Sequence, residues 1–335
     1  MSSSPVRFGV VGVGRITREQ FAPALVNTEC AVLQTAASRD IRRAKALNPQ
    51  RAYDSYSKLL HDPDVDAVYV GTHNGLHKEL VIEALEHGKH VLCEKPLGCT
   101  AAECEEMVAA ADSAERYLVE AFMYRHHPQV RRAQKLLQDG VVGELVAVEA
   151  SFSVHLRQTD DVRLHAAWGG GSLLDVGCYC VNFARLFLGD SLQNVSAWAK
   201  IDRTHGVDMA VHGALEYESG KHAAVSCGFE GGLYQRAVLI GTDGVIDLNA
   251  PFVTWLRRPR LAVQTDNGED VIEFEPVNTF EREIEDLCAA ILGGTPPLLN
   301  SNEGLLNARV LDRLMAAAVA GDTAGRSELD SAEAE

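Results

Sequence analysis

Two glycines separated by one residue stand where the chain is best suited to bind phosphate. Gly12-Val13-Gly14 follows an apolar run at residues 7–12 and precedes a helical pattern, which is the context in which a G-x-G turn binds a dinucleotide. Gly12 permits a tight strand-to-helix turn, Gly14 lets the backbone approach a pyrophosphate, and the helix N-terminus supplies N–H donors. Thr17 replaces the usual small third residue, so we expect slightly looser helix packing there. The alternative is a structural turn without a cofactor.

The residues at the end of the second predicted strand, Ala37-Ser38-Arg39-Asp40, indicate whether the turn binds NAD or NADP. An acid at this place binds the 2′-hydroxyl of NAD. Ser38 and Arg39 instead offer a hydroxyl and a guanidinium, which suit the 2′-phosphate of NADP. The sequence therefore predicts NADP. NAD remains an alternative, because the Asp40 carboxylate could bind the ribose if the strand ends one or two residues later. A further alternative is that Arg39 is only a solvated turn residue.

Two further segments carry titratable side chains beside strand ends and glycines. Glu94-Lys95-Pro96 follows an apolar strand, and the carboxyl end of a parallel strand is where open α/β sheets bind ligands. Farther on, a glycine-rich loop leads to Asp175 and Tyr179, which are four residues apart and share one face of a helix. Taken alone, the first segment is by default a surface lysine, and the second is better explained as a core helix with two internally satisfied polar residues. Together with the predicted Rossmann half, the two segments favour a site.

Strands and helices alternate through the first third of the chain, a pattern typical of βαβ units and a parallel sheet. We predict a doubly wound Rossmann domain over residues 1–123. Thr100, with Glu103 three residues later, is a predicted N-cap. The predicted strands are 7–12, 31–38, 67–71, 90–93 and 117–121, and the predicted helices are 18–26, 41–47, 75–87 and 100–111.

After a helix at 129–138, hydrophobic residues alternate with a period of two, and turn signals such as Asp266-Asn267-Gly268 separate the runs. This predicts an α+β domain over residues 124–320, built on a large mixed, mostly antiparallel sheet. The tail at 321–335 is small, polar and acidic, and is predicted to be disordered. The predicted strands are 145–154, 195–202, 209–218, 223–231, 237–240, 245–248 and two more before Pro276, followed by helices 280–292 and 303–320.

Composition excludes several classes of partner. The 335 residues carry a formal charge of −16, which would repel nucleic acid and an acidic membrane surface. No apolar run approaches the ~20 residues of a membrane span, and the N-terminus lacks a signal-peptide layout, so we expect a cytoplasmic protein with a small-molecule substrate. The eight cysteines show no zinc-binding spacing, so we expect thiols and no metal.

Read together, these motifs resemble the Gfo/Idh/MocA oxidoreductases over nearly the whole chain. Asp175 with Tyr179 is similar to the branch that holds glucose-fructose oxidoreductase, NADP-dependent xylose dehydrogenase, dimeric dihydrodiol dehydrogenase and nucleotide-ketosugar reductases. The resemblance rests on the Gly12-x-Gly14 turn, Thr72-His73-Asn74-Gly75-Leu76-His77, Glu94-Lys95-Pro96, Glu120 through Gln129, and Gly169 through Tyr179.

The resemblance implies roles for particular residues. Lys95 and Tyr179 would carry catalysis together with Asp175, and a mixed sheet would pack face to face in a dimer. The family's late Tyr-x-x-Gln element is Phe280-Glu281-Arg282-Glu283 here, so no cofactor contact is carried over from that segment. The expected cofactor contacts are Gly12, Gly14, Arg15, Ile16, Ser38, Arg39, Thr72, His73, Asn74, His77, Glu94, Lys95, Arg125 and Trp168.

The expected reaction is reversible hydride transfer between NADP and an alcohol or hemiacetal carbon, with C1 of an aldose as the favoured carbon and a lactone as product. A phenol shuttles the accompanying proton only if its pKa is lowered, and a nearby ammonium lowers it. Tyr179 would be the acid/base, Lys95 the cation, and Asp175 the group that fixes substrate hydroxyls or Lys95. Arg163 and His155 are further candidate substrate contacts, and Trp168 would pack on the nicotinamide or fill the seam between the domains.

Other functions are also compatible with these residues. The same residues suit reduction of a nucleotide-linked ketosugar, for which Arg257-Arg258-Pro259-Arg260 is the only candidate diphosphate patch, or oxidation of a dihydrodiol. A non-catalytic NADP sensor is the alternative from another class. The many period-two strands exceed what the following helices cover, which predicts a homodimer or a higher homo-oligomer.

Overall fold

A computed structural model describes residues 4–158 and 160–332, with side chains described up to residue 320. The chain divides into two compact units. The first is Met1–His126 with Asn278–Ala308, and the second is His127–Val277 with Arg309–Glu335. The prediction had placed the boundary after residue 123 and all of residues 124–320 in the second domain.

The first unit is built on a six-stranded, all-parallel sheet in the order β3-β2-β1-β4-β5-β6. The predicted doubly wound Rossmann sheet is thereby confirmed. The strands are apolar because helices cover both faces of such a sheet. The short strand β3 and the helix after it were not predicted. The strands are β1 (Val6–Val11), β2 (Ala31–Ala37), β3 (Arg51–Tyr53), β4 (Ala67–Val70), β5 (His90–Glu94) and β6 (Leu118–Ala121).

Helices connect these strands and bury their apolar faces. Thr100 caps its helix as predicted, since its side chain accepts a hydrogen bond from the Glu103 N–H. A π-helix at Thr17–Phe21 runs directly into α1, and 3₁₀ turns lie at Asn74–Leu76 and Met123–His126. The α-helices are α1 (Ala22–Asn27), α2 (Ile41–Ala46), α3 (Tyr56–Leu60), α4 (His77–Glu86) and α5 (Ala101–Ala114).

The second unit holds an eight-stranded sheet in the order β14-β13-β12-β11-β7-β10-β9-β8. Only β7 and β10 pair in parallel, and the other neighbours are antiparallel, which confirms the predicted mixed, mostly antiparallel sheet. The strands are β7 (Leu145–Ser153), β8 (Leu192–Asp202), β9 (Val207–Tyr217), β10 (His222–Gly228), β11 (Tyr234–Gly241), β12 (Gly244–Asn249), β13 (Arg260–Thr265) and β14 (Gly268–Glu273).

Four more α-helices complete the fold: α6 (Pro128–Gln138), α7 (Cys178–Leu188), α8 (Thr279–Gly293) and α9 (Ser301–Ala332). Helix α7 packs on the inner face of the second sheet, against β7 and β10. Helix α8 belongs to the first unit, where Phe280, Ile284 and Leu287 are buried. Helix α9 continues through the segment for which the sequence predicted disorder, and residues 333–335 of that predicted tail lie outside the described residues.

One helical run, Ala166–Leu188, has the length and apolar composition of a membrane span. Within its most apolar window, 72% is buried inside the protein. Burial of this kind is typical of a core helix, and the segment includes α7, which covers the second sheet.

Candidate active site

The glycine turn lies at the carboxyl edge of the first sheet. Gly12 has a φ of +87°, and the ideal Cβ of any other residue there would stand 2.7 Å from the Gly71 carbonyl oxygen. Gly14 is exposed, and a Cβ on it would meet only that oxygen, at 3.7 Å. Gly12 therefore makes the turn possible, and the bare backbone of Gly14 leaves an open cradle above it. Arg15 is exposed and Ile16 half-buried at the start of the helix that follows.

The expectation of loose packing at Thr17 is wrong. Thr17 is buried, and its hydroxyl donates a 3.0 Å hydrogen bond to the Gly12 carbonyl oxygen. Room for the larger residue comes from Gly71 on the neighbouring chain segment, where a Cβ would stand 2.7 Å from the Thr17 Oγ1 and 2.6 Å from the Tyr69 ring. Gly71 is thus the small residue that the glycine turn needs, and the sequence motif did not identify it because it follows another strand, β4.

Ser38 and Arg39 directly follow β2, as the NADP interpretation requires. Ser38 is buried and Arg39 is exposed. The Asp40 carboxylate caps α2 by accepting the Arg42 N–H at 3.0 Å, and it also binds the Arg42 guanidinium. Because Asp40 is engaged in its own helix, the arrangement disfavours it as the acceptor for a ribose hydroxyl.

The loop after β4 holds three predicted cofactor residues at the same edge. Burial lowers the pKa of His73, and the positive charge of Arg39 lowers it further. Thr72 donates its hydroxyl hydrogen to the His73 carbonyl oxygen at 3.3 Å, and Asn74 begins the 3₁₀ turn. His77 is fully buried, and its ring nitrogens lie 3.0 Å from the Pro96 carbonyl oxygen and 3.3 Å from that of Thr72. His77 therefore joins the β4 loop to the Glu94-Lys95-Pro96 loop.

Glu94 and Lys95 stand at the end of β5, and both are half-buried. The Tyr69 hydroxyl donates a 2.7 Å hydrogen bond to a Glu94 carboxylate oxygen, which fixes the residue that precedes the lysine. Arg125 lies in the 3₁₀ turn after β6, where its guanidinium is 3.8 Å from the Glu303 carboxylate.

Glu283 of α8 is a residue for which the sequence predicted no role. It is 1% exposed, and neither carboxyl oxygen has a hydrogen-bond partner among the described residues. Burial raises the pKa of Glu283 well above its usual value, and the negative charges of Glu94 and Asp286 raise it further. The carboxyl group of Glu283 is therefore harder to ionise than that of an exposed glutamate.

Taken together, the first unit fits a phosphorylated dinucleotide. It has an open glycine turn, a helix N-terminus, and the exposed Arg39 guanidinium at the strand end where such folds bind the adenine ribose. The residues that would hold the cofactor are Gly12, Gly14, Ser38, Arg39 and His73. No group of three or more metal-ligating side chains occurs among the described residues.

In the second unit, Asp175 and Tyr179 lie on one continuous helical segment, as predicted. Asp175 belongs to a π-helix, Leu173–Gly177, and Tyr179 is the second residue of α7. Single π-turns inside helices are frequent at functional sites because they redirect side chains. Tyr179 is 5% exposed, and its ring packs against the rings of Phe152 and Phe252, each with its centroid 5.6 Å away.

Arg163 lies beside Asp175, which the sequence did not establish. Its guanidinium is 3.3 Å from an Asp175 oxygen and makes two hydrogen bonds to Asp161, at 2.8 and 2.7 Å. Despite burial, these two carboxylates raise the pKa of Arg163 above its ordinary value, so the cation is permanent. The guanidinium also lies 5.9 Å from the Phe229 ring centroid. Asp161 was not predicted, because a lone acid in a loop gives no pattern.

The remaining two candidates in this unit are more exposed. The Trp168 ring is 39% exposed and lies 4.2 Å from the His165 ring. His155 is exposed, with Nδ1 at 3.3 Å from the Glu230 carbonyl oxygen. The structure therefore groups Arg163 with Asp175 and gives no comparable link between His155 and that pair.

An oxidoreductase family with an NAD-binding Rossmann fold matches residues 6–122, and a GFO/IDH/MocA C-terminal domain matches residues 130–247. The chain belongs to the Gfo/Idh/MocA oxidoreductases. The family predicted from the motifs is thus confirmed, and the protein is an oxidoreductase with a nicotinamide-dinucleotide Rossmann fold.

Relatives and solved structures align with nearly the whole chain. A D-xylose 1-dehydrogenase (NADP(+)) of Haloferax volcanii is 36% identical over 96% of this chain and 99% of its own. A 3-ketoreductase of Actinomadura kijaniata, solved with NADP and TDP-benzene, is 32% identical with a TM-score of 0.88, over 94% of this chain and 98% of its own. An aldose-aldose oxidoreductase of Caulobacter crescentus, complexed with glycerol, is 27% identical with a TM-score of 0.88, over 95% of this chain and 98% of its own.

Proposed function

We propose that this oxidoreductase uses NADP to oxidise C1 of an aldose to the lactone. The observation that carries the proposal is the end-to-end similarity to an NADP-dependent xylose dehydrogenase in a chain that has both Lys95 and the Asp175–Tyr179 helix. NADP, rather than NAD, is supported by the exposed Arg39 next to the buried Ser38, and by the engagement of Asp40 in capping α2.

Bound NADP would supply a nicotinamide ring that accepts a hydride from the sugar carbon. As the C–H bond breaks, the carbon's hydroxyl must release its proton, and a carbonyl forms. Tyr179 would take that proton, and the Lys95 ammonium would lower the phenol pKa and orient the hydroxyl. Asp175 would accept hydrogen bonds from other sugar hydroxyls, with Arg163 holding the carboxylate in place. The aromatic walls around Tyr179 exclude water from the phenol, which strengthens the effect of any nearby charge.

Reduction of a nucleotide-linked ketosugar is the second candidate, since the solved 3-ketoreductase aligns with 94% of this chain. Such a substrate needs cations for its diphosphate. In the Arg257–Arg260 cluster, the Arg258 guanidinium is already 2.9 Å from Glu275 and 3.4 Å from Glu273. These two carboxylates offset the charge of Arg258, which weakens the attraction of the cluster for a diphosphate and favours an uncharged sugar.

A substrate panel tests the proposal. Initial rates of NADP reduction would be measured with aldoses, polyols and a trans-dihydrodiol, alongside NADPH oxidation with a nucleotide-linked ketosugar. We expect turnover with an aldose and lactone as the product. Turnover confined to the ketosugar or the dihydrodiol would replace the aldose assignment. Tight NADP binding without turnover of any compound would favour a sensor.

We also propose that the enzyme is a cytoplasmic homodimer formed through the outer face of the second sheet. That face exposes Trp198, Tyr234 and Val271, three large apolar side chains of 49–56% exposure on β8, β11 and β14. The strand registers place these three side chains on one face, and burying exposed apolar side chains of this size stabilises an interface. Sedimentation at micromolar concentration should show a dimer. Trp198→Glu should shift it toward monomer, whereas Val26→Glu, at a 67% exposed site in the first unit, should not. A wild-type monomer would contradict the proposal.

A further inference from the structure

The helix that carries Asp175 and Tyr179 begins without a cap of its own. Its N-cap residue is Ser172, whose side chain makes no hydrogen bond to the first turn. The first N–H groups of a helix need acceptors, and a helix start buried without them is destabilised. Ser172 is fully buried, so solvent does not provide the acceptor. Another part of the second unit must do so.

Asp208, the second residue of β9, provides that acceptor. One of its carboxylate oxygens accepts the Leu173 N–H and the Ser172 hydroxyl hydrogen, both at 2.7 Å. Asp208 lies 35 residues from Leu173 in the sequence and is 4% exposed. Burial raises the pKa of Asp208, while the hydrogen bonds from Ser172 and Leu173 lower it. A carboxylate at a helix N-terminus is also attracted by the helix dipole.

Gly171 makes this approach possible. Its φ is +116°, and the Cβ of any other residue would overlap the second oxygen of Asp208. The Gly171 N–H donates to the Arg163 carbonyl oxygen at 2.9 Å, and its own carbonyl oxygen accepts the Asp175 N–H at 3.2 Å. Asp208 and Gly171 therefore fix the position of both the Arg163 segment and the Asp175–Tyr179 helix.

We infer that Asp208 is a positioning residue for the reaction: it holds the start of the π-helix so that Asp175 and Tyr179 face the substrate. The inference rests on the proposed function. A displacement of about 1 Å at a reacting group costs up to ~10²-fold in rate. Asp208→Ala should therefore lower kcat by about 10–100-fold, and it should leave the KM for NADP within about twofold, because the residues that would bind its phosphates and adenine ribose belong to the first unit.

A double-mutant cycle with Tyr179→Phe tests whether Asp208 acts through the phenol. If it does, Asp208→Ala should cost less than about threefold in the Tyr179→Phe background, because residues that act as a unit are not additive. Ser172→Ala removes one of the two hydrogen bonds and should give a smaller loss than Asp208→Ala, which keeps the test usable if the latter folds poorly. Asp202→Ala is the matched control, since the Asp202 carboxylate bonds only to Thr204 and His205 in its own turn among the contacts described.

Hydrogen–deuterium exchange of residues 169–179 gives a readout that needs no turnover. Exchange there should rise in Asp208→Ala and Ser172→Ala but not in Asp202→Ala. Unchanged exchange together with kcat within threefold of wild type would overturn the inference, as would a full, additive loss in the Tyr179→Phe background. If Tyr179→Phe alone kept its kcat, the proposed role of Tyr179 would fail, and the exchange data would still decide whether Asp208 holds the helix.

Discussion

Replacing Gly14 by alanine should separate cofactor binding from stability. The added Cβ would meet only the Gly71 carbonyl oxygen, at an ordinary contact distance of 3.7 Å. Loss of backbone freedom in the unfolded chain should therefore raise the free energy of unfolding by about 0.4–1 kcal/mol, or roughly 1–3 °C in Tm. The same methyl would occupy the cradle in front of the backbone N–H groups. Losing a charge-assisted hydrogen bond of about 1.5–3 kcal/mol should weaken NADP binding roughly 10–150-fold.

Gly12→Ala is the contrasting variant at the same turn. With a φ of +87°, an L-residue at position 12 costs about 1–2 kcal/mol, and a Cβ at 2.7 Å from the Gly71 oxygen adds about 1–3 kcal/mol of overpacking. It should lose both stability and binding. Thermal denaturation without cofactor and calorimetric titration with NADP measure the two effects. If Gly14→Ala melted several degrees lower, or bound NADP as tightly as wild type, the cradle interpretation would be wrong.

Four further substitutions test separate parts of the site. Arg39→Ala should weaken NADP by about 1.5–3 kcal/mol in titration and leave NAD nearly unchanged, and equal losses would contradict the NADP assignment. Because the pKa of Glu283 is raised in the folded protein, folding retains its proton, and the free energy of unfolding falls as pH rises above about 4.5. The stability that Glu283→Gln gains over wild type in denaturant unfolding should therefore grow as the pH rises, and a difference that does not change with pH would contradict the raised pKa. Tyr179→Phe should lower kcat by ~10²–10⁴-fold and leave cofactor affinity intact, whereas a raised KM with unchanged kcat would make Tyr179 a binding residue. Lys95→Met should raise the apparent pKa in the pH profile of alcohol oxidation, because it removes the cation that lowers the phenol pKa.

Local patterns predicted much of this fold because the relevant interactions are local. Alternating apolar strands and helices gave the parallel sheet, and Thr100 with Glu103 marked a helix start that the structure has. Strand β3 was missed because three residues are too few to show periodicity. Helix α8 was assigned to the wrong compact unit because contacts such as Asn27 with Glu281 span 254 residues.

The site was predictable where a motif concentrates the chemistry, as at Gly12 and Gly14. Elsewhere the structure supplied partners that no pattern reports. Gly71 makes room for Thr17 from a neighbouring strand end, and Asp161 holds Arg163 from a loop. The π-helix before Tyr179 was also invisible, because the spacing of Asp175 and Tyr179 is compatible with an ordinary α-helix. Such features depend on which elements pack together, and local sequence patterns do not show that.

The central claim is hydride transfer from an aldose C1 to NADP, and isotope transfer tests it most directly. The enzyme would be incubated with NADP and the best aldose of the panel carrying deuterium at C1, and the reduced cofactor analysed by mass spectrometry. We predict NADPH that contains one deuterium, with the lactone as co-product. Unlabelled NADPH would place the oxidation at another carbon, and the absence of NADPH with every aldose would contradict the proposed activity.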